Sequence, residues 1–358
     1  MPVIDTKKLI ENRIEAIRKY HEETGVQKAE LDLSGGIDSG VMACLLVLAL
    51  GRKNVILVHS NINTNPQQTN RAIQLAETLE VPLLNLDLND IYLKLIDTIR
   101  HEILAKCSED DIVAMIKRLD NDKTVLGSIR SCLRAPVGRG CNRILGGGIR
   151  HGTGNECEDR YLRFYQKGGD GEVDTNPIEM LSKTEVFQLA YGLISYYTLH
   201  SDGRYSIEVP MTKLILAKPS PDLWGNGDSH NDEDELKKMT GVNFSYGRVN
   251  ASNGQIINYG TIEIISRLAD RYCKFIDVYS NVELFPFCDA AAINDLLNSG
   301  KCNDILNLLP REKLLEYVNA AITAEKATRH KQNSNIPMLG SRKELIELGI
   351  LSDRLEVI

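Results

Sequence analysis

The sequence predicts an α/β fold, an open parallel sheet with helices on both faces. Three observations carry that expectation. Short apolar strands alternate with helical patterns over residues 29–86, with short connections between them. The turn Ser-Gly-Gly-Ile-Asp-Ser at 34–39 joins the first strand to a strongly apolar helix. The chain has 358 residues, 42% apolar and 25% charged, which is ordinary globular composition with enough length to bury a core without covalent staples.

Taken in order, residues 5–23 carry Leu9, Ile10, Ile14 and Ile17 at helical spacing. A short strand at 29–33 leads into the Gly-rich turn and then a helix over about 39–50. A second buried strand follows at 55–59. A helix at 65–79 puts Ala72, Leu75, Ala76 and Leu79 on one face, and a third strand occupies 82–86. Residues 88–124 read as helical and charged, and 134–153 is rich in Gly and Arg. A helix is expected at 182–197, then a polar stretch at about 219–260 that holds most of the loop signals. Helical patterns return at 261–279 and 314–327, and the tail beyond Arg329 is expected to be weakly structured. With no internal repeat and no long linker, the simplest organisation is a single domain over 1–358 with insertions around 88–124 and 225–260.

Forty-two basic against 49 acidic residues leave a net charge of −7, which argues against a nucleic-acid or anionic membrane surface as the main partner. The first 23 residues are charged and amphipathic without an apolar h-region, so a secretory signal is not expected. The longest apolar run, 41–50, is too short to span a bilayer, and a cytoplasmic location is expected. Eight scattered cysteines with no Cys-x-x-Cys pair, and no His nearby at ligand spacing, speak against both a disulfide scaffold and zinc.

The chemistry concentrates in the turn at 34–39. Gly35 and Gly36 let backbone N–H groups approach an anion with no Cβ in the way. The following helix adds its unpaired N–H groups and the positive end of its dipole. Ser34 and Ser39 supply hydroxyls, and Asp38 can hold a Mg²⁺ that neutralises phosphate charge. These parts describe a pyrophosphate cradle. The GxxxxGK[ST] loop is absent, so Walker-type phosphoryl transfer is not expected.

Ser34-Gly35-Gly36-Ile37-Asp38-Ser39 resembles the loop of the ATP pyrophosphatase (PP-loop) superfamily, whose members cleave ATP between the α and β phosphates. Downstream elements narrow the resemblance to the ammonia-dependent NAD synthetases. Residues 151–158 (HGTGNECE) look like that family's GTGN-x-x-E element, and 164–174 (FYQKGGDGEVD) like its FxTKxGDGxxD segment. Asn176-Pro177 with Leu181-Ser182-Lys183 is similar to its P…L.K stretch. Lys218-Pro219-Ser220 with 232–236 (DEDEL) is similar to its P[ST]…DE.EL element, and His330-Lys331 to its C-terminal HK pair.

The resemblance implies an adenine nucleotide α-hydrolase-like, Rossmann-like fold. It also implies an ATP site made of Asp32, Leu33, Ser34, Gly35, Gly36, Ile37, Asp38 and Ser39 with Thr153, Lys183 and Ser220. Asp38 and Glu158 would be the Mg²⁺ ligands, and with Lys183 the catalytic set. Arg134, Lys167, Asp174, His330 and Lys331 would bind deamido-NAD. The implied reaction adenylates the carboxylate of deamido-NAD with ATP and amidates it with ammonia, in a homodimer. Several features depart from the family: Asp32 stands where a Gly is usual, Cys132 where a substrate-binding Arg is expected, one extra residue separates Glu158 from Lys167, and 146–151 (GGGIRH) replaces an apolar run. These leave open the same chemistry on a different carboxylate, or a non-catalytic nucleotide-binding homologue.

Overall fold

In the computed structural model, which describes residues 3–201, 205–223, 231–249, 256–272, 290–328, 331 and 336–355, four parallel strands form one sheet. They are β1 (Ala29–Asp32), β2 (Val55–Asn61), β3 (Leu83–Asp87) and β4 (Ile149–His151), in the order β3-β2-β1-β4. The chain begins with α1 (Thr6–Thr24), β1 leads to α2 (Ile37–Leu50), and β2 leads to α3 (Pro66–Leu79). Up to residue 87 every strand and α-helix lies within two residues of its position in the sequence reading, because each carries a regular local pattern of apolar residues. After β3 come α4 (Asn89–Lys106), α5 (Glu109–Asn121) and α6 (Lys123–Ile144). After β4 come α7 (Lys183–His200), α8 (Glu208–Leu216), α9 (Asp232–Thr240) and α10 (Thr261–Tyr272).

Period-two alternation in β1 divides the sheet's two faces. Ala29, Leu31 and Leu33 are buried in one core with Leu9, Ile10 and Ile17 of α1, the apolar side chains of α2, and Phe187 and Leu193 of α7. Glu30 and Asp32 point the other way, where Arg150 of β4 bonds both carboxylates, its Nη1 lying 2.7 Å from Glu30 Oε1. Burial, with Asp32 alongside, pushes Glu30 up to about 7 even though Arg150 opposes the shift. α6 closes over this group. A Cβ on its Gly138 would lie 1.9 Å from Arg150 Nη1, so the helix can approach only at a glycine.

That contact explains the largest departure from the sequence reading. The Gly- and Arg-rich stretch 134–153, to which periodicity assigns no element, continues α6 to Ile144 and then forms β4. Gly127 and Gly138 are helix weakeners locally, yet both sit where another segment comes close: Leu223 Cβ would lie 3.0 Å from a Cβ at 127. The expected helices at 182–197 and 314–327 are present as α7 and Arg311–Thr328. Of the pattern at 261–279, residues through 272 are described and form α10. The expectation of a weakly structured tail is corrected. Arg342–Glu347 is a helix, Leu351 bridges to Val3, and Arg342 is buried against Glu185. Among the described residues no helix is long and apolar enough to cross a membrane.

One further contact ties α1 to the end of β4. His21 Nε2 lies 3.0 Å from His151 Nε2, with the rings stacked at 5.2 Å between centroids. Burial, with His21 adding to it, pushes His151 down to about 3. The folded state therefore refuses a proton that the unfolded chain accepts below about 6.5, and stability falls as pH falls through that value. Between pH 7 and pH 5 the loss from this group is about 2 kcal/mol. Thermal unfolding of the protein and of His151→Phe across this range should show the stability difference between them shrinking by that amount as the pH drops.

Candidate functional site

The site begins where β1 ends. Buried Leu33 and Ile37 anchor the two ends of the turn in the core, so their side chains hold the loop and leave its polar edge free. Gly35 has φ +83°, and a Cβ there would meet the backbone oxygen of Gln68 at 2.1 Å. Arg71 Nε donates to the Gly35 carbonyl at 2.9 Å, drawing that oxygen toward α3. The Gly36 N–H donates to Ser34 Oγ at 3.2 Å, Ser39 Oγ donates to the Gly36 carbonyl at 3.1 Å, and the two serine hydroxyls lie 3.0 Å apart. Gly35→Ala should therefore distort the loop. A stability loss of about 1–3 kcal/mol is the expected calorimetric result.

From β4 the chain continues through Gly152, Thr153 and Gly154 to Asn155. The Asn155 side chain accepts from the N–H groups of Cys157 (3.1 Å) and Glu158 (3.3 Å) and donates to Asp38 Oδ1 at 3.1 Å. One amide thus locks the second loop to the first. α7 starts in a reciprocal capping box between Ser182 and Glu185, which places Lys183 at its first position. Lys183 Nζ lies 2.8 Å from Asp38 Oδ2, 2.6 Å from Glu158 Oε1 and 3.7 Å from Asp232 Oδ2, and the residue is 1% exposed.

Three carboxylates against one ammonium leave an excess of negative charge. Burial alone would lower the Lys183 pKa, but the three acids outweigh it and hold it well above its ordinary value. Burial pushes Glu158 up to about 8; Lys183 opposes the shift, and Asp38 and Asp232 add to it. Asp232 is the member that sequence reasoning missed. It lies in the stretch 232–236 that resembles the family's DE.EL element, but the sequence reading gave it no role in the site.

The other candidate residues are dispersed around this centre. Asp32 is held by Arg150, not turned toward the loop. Ser220 Oγ accepts the N–H of Asp222 at 3.3 Å, and Asp222 Oδ2 in turn takes Arg134 at 2.5 Å and Thr64 Oγ1 at 2.7 Å. Asp174 is bonded by Arg139 at 2.9 Å and by the Arg150 N–H at 2.9 Å. Lys167 is exposed. Lys331 Nζ donates to the carbonyls of Arg163 (2.8 Å) and Tyr165 (2.5 Å), which ties it to the start of the 163–174 segment. His330 lies outside the described residues. The structure thus brings Asp38, Glu158 and Lys183 together and leaves Arg134, Asp174 and Lys331 in separate ion-pair or backbone contacts. Among the described residues no three His, Cys, Asp or Glu side chains are arranged to hold a metal ion by themselves.

The family model described as NAD synthase matches residues 9–242. The chain belongs to the NAD synthase family. It is accordingly an enzyme of the class that forms carbon–nitrogen bonds. The NH(3)-dependent NAD(+) synthetase of Archaeoglobus fulgidus is 31% identical to it over 232 residues, 64% of this chain and 78% of that protein. The protein of the same description from Methanocaldococcus jannaschii is 33% identical over 221 residues, 62% and 72% of the two chains. The solved structure of NMN synthetase from Francisella tularensis shares the fold, with a TM-score of 0.57 at 17% identity over 92% of this chain and 97% of that one. The NAD synthase match contains both loops, Lys183 and Asp232. It ends before Tyr246, α10 and the helix Arg342–Glu347.

Proposed function

We propose that the protein adenylates the carboxylate of deamido-NAD with ATP and amidates it with ammonia. The observation that supports this best is the convergence of Asp38 and Glu158 on Lys183, beside a glycine turn that opens onto a helix N-terminus. In this reading a carboxylate oxygen of the substrate attacks the α-phosphorus, the bond to pyrophosphate breaks, and an acyl-adenylate forms. Ammonia then attacks the acyl carbon, loses a proton, and AMP departs with its bond electrons. A carboxylate needs this activation because it is a poor electrophile.

The residues act by positioning and electrostatics. The turn at 34–39 takes phosphate oxygens on its N–H groups, with Thr153 and Ser220 bonding the nucleotide. Lys183 faces the charge that builds on the departing pyrophosphate. Asp38 and Glu158 fit Mg²⁺, since they are hard oxygen donors in a cluster carrying excess negative charge, and Mg²⁺ typically takes one or two carboxylates plus phosphate oxygens. When bound, the ion supplies charge neutralisation along the phosphates. By the family resemblance the deamido-NAD side falls to Arg134, Lys167, Asp174, His330 and Lys331, of which Arg134, Asp174 and Lys331 would have to leave their present partners to reach a substrate.

A second reading keeps the chemistry and changes the acceptor to another carboxylate. It is favoured by Cys132 at a position where the family resemblance expects Arg, and by the engagement of Arg134 with Asp222. Mass spectrometry of a reaction containing deamido-NAD, ATP, Mg²⁺ and ammonium decides between them. NAD and AMP in equal amounts support the first reading. AMP release only with other carboxylates moves the assignment to the second, and no AMP with any carboxylate sinks both.

A further inference from the structure

The Tyr246 ring packs 5.5 Å from the Lys183 ammonium. The residue is 3% exposed, and its hydroxyl is buried without a hydrogen-bond partner among the described residues. The surroundings account for the ring but not for the oxygen. The ring belongs to the apolar cluster of Leu162, Phe244 and Ile262, where a phenylalanine would fill the same space. The backbone is held independently: the Tyr246 N–H donates to Glu233 Oε1 at 3.0 Å, and the Gly247 N–H to both Glu263 oxygens at 3.2 Å. A buried hydroxyl left unbonded costs folding free energy, so the fold gains nothing from keeping it.

Its setting says what it could bond. Burial first, then the nearby carboxylates of Glu158 and Asp232, hold the phenol well above its ordinary pKa. It is therefore a neutral O–H donor, placed beside an ammonium and a cluster of acids. Such a donor wants an anionic oxygen that arrives with a ligand. We infer that Tyr246 is a ligand-contacting residue whose hydroxyl donates to an oxygen of the nucleotide's phosphate chain beside Lys183. The inference rests on the reading of this site as an ATP site. It also gives a role to the segment after residue 242, which the family match does not cover.

Tyr246→Phe in the full-length chain removes the oxygen and nothing else. The measurements are thermal unfolding, calorimetric affinity for MgATP and for magnesium pyrophosphate, and the steady-state rate of AMP release. The expected result is a Tm equal to or above that of the parent protein, with both affinities and kcat/KM lowered about tenfold. Affinities and kcat/KM within twofold of the parent would overturn the inference. So would a lowered Tm with activity lost in proportion, because the hydroxyl would then serve the fold. Should the parent protein bind MgATP yet release no AMP, the amide-forming reading fails while the affinity comparison still decides Tyr246. If the parent binds no nucleotide, both fall together.

Discussion

Asp38→Asn is expected to lower ATP-dependent AMP release by at least about 100-fold while leaving the protein folded. Asp38 gives one oxygen to Lys183 and the other to the Asn155 amide, so it joins α2, α7 and the 152–158 loop at a single carboxylate. Asparagine keeps the shape and a hydrogen-bonding oxygen but removes the charge that faces the Lys183 ammonium. Lys183 still has Glu158 at 2.6 Å and Asp232 at 3.7 Å, so no buried cation is stranded and Tm should move by only a few degrees. Steady-state assays alongside thermal unfolding separate the two effects. Parent-like turnover in the variant would remove Asp38 from the mechanism.

Arg342→Met should produce the largest stability loss, about 3–5 kcal/mol, because it leaves Glu185 charged and buried without its partner. The guanidinium makes two bonds to that carboxylate, at 2.6 and 2.7 Å, and two more to the carbonyls of Met180 and Ser352, each at 3.2 Å. Burial would raise the Glu185 pKa, but Arg342 and the neighbouring donors outweigh it and hold it below its ordinary value. The same carboxylate accepts the Ser182 N–H at 2.9 Å, so the clasp reaches the helix start that presents Lys183. Denaturant unfolding of Arg342→Met, compared with Arg342→Met/Glu185→Gln, is the check. Neutralising the stranded acid should recover a large part of the loss, and equal stability of the parent and the single variant would exclude the clasp.

The fold up to residue 87 was legible because its information is local. Strands β1 to β3 and helices α1 to α3 each carry their own apolar period, and the glycine turn carries its own conformational demand at Gly35. α6 and β4 were not legible. Gly138 reads as a helix weakener until Arg150, twelve residues on, arrives against it, and Arg150 is there because Glu30 and Asp32 point to that face. The tail was misread for a related reason. Arg342 looks like one charge in a polar stretch, and only Glu185, 157 residues away, turns it into an anchor.

By itself the sequence determined the parallel α/β order and the glycine turn, since each depends on neighbours within a few residues, and its resemblance to a known family supplied the candidacy of Asp38, Glu158 and Lys183. The tertiary structure decided what surrounds them. It added Asp232 and Tyr246 to the same ammonium, gave Asp32 to Arg150, and engaged Arg134 with Asp222. Burial, partnership and net charge at a point in space are sums over segments far apart in the chain, and no local pattern contains them.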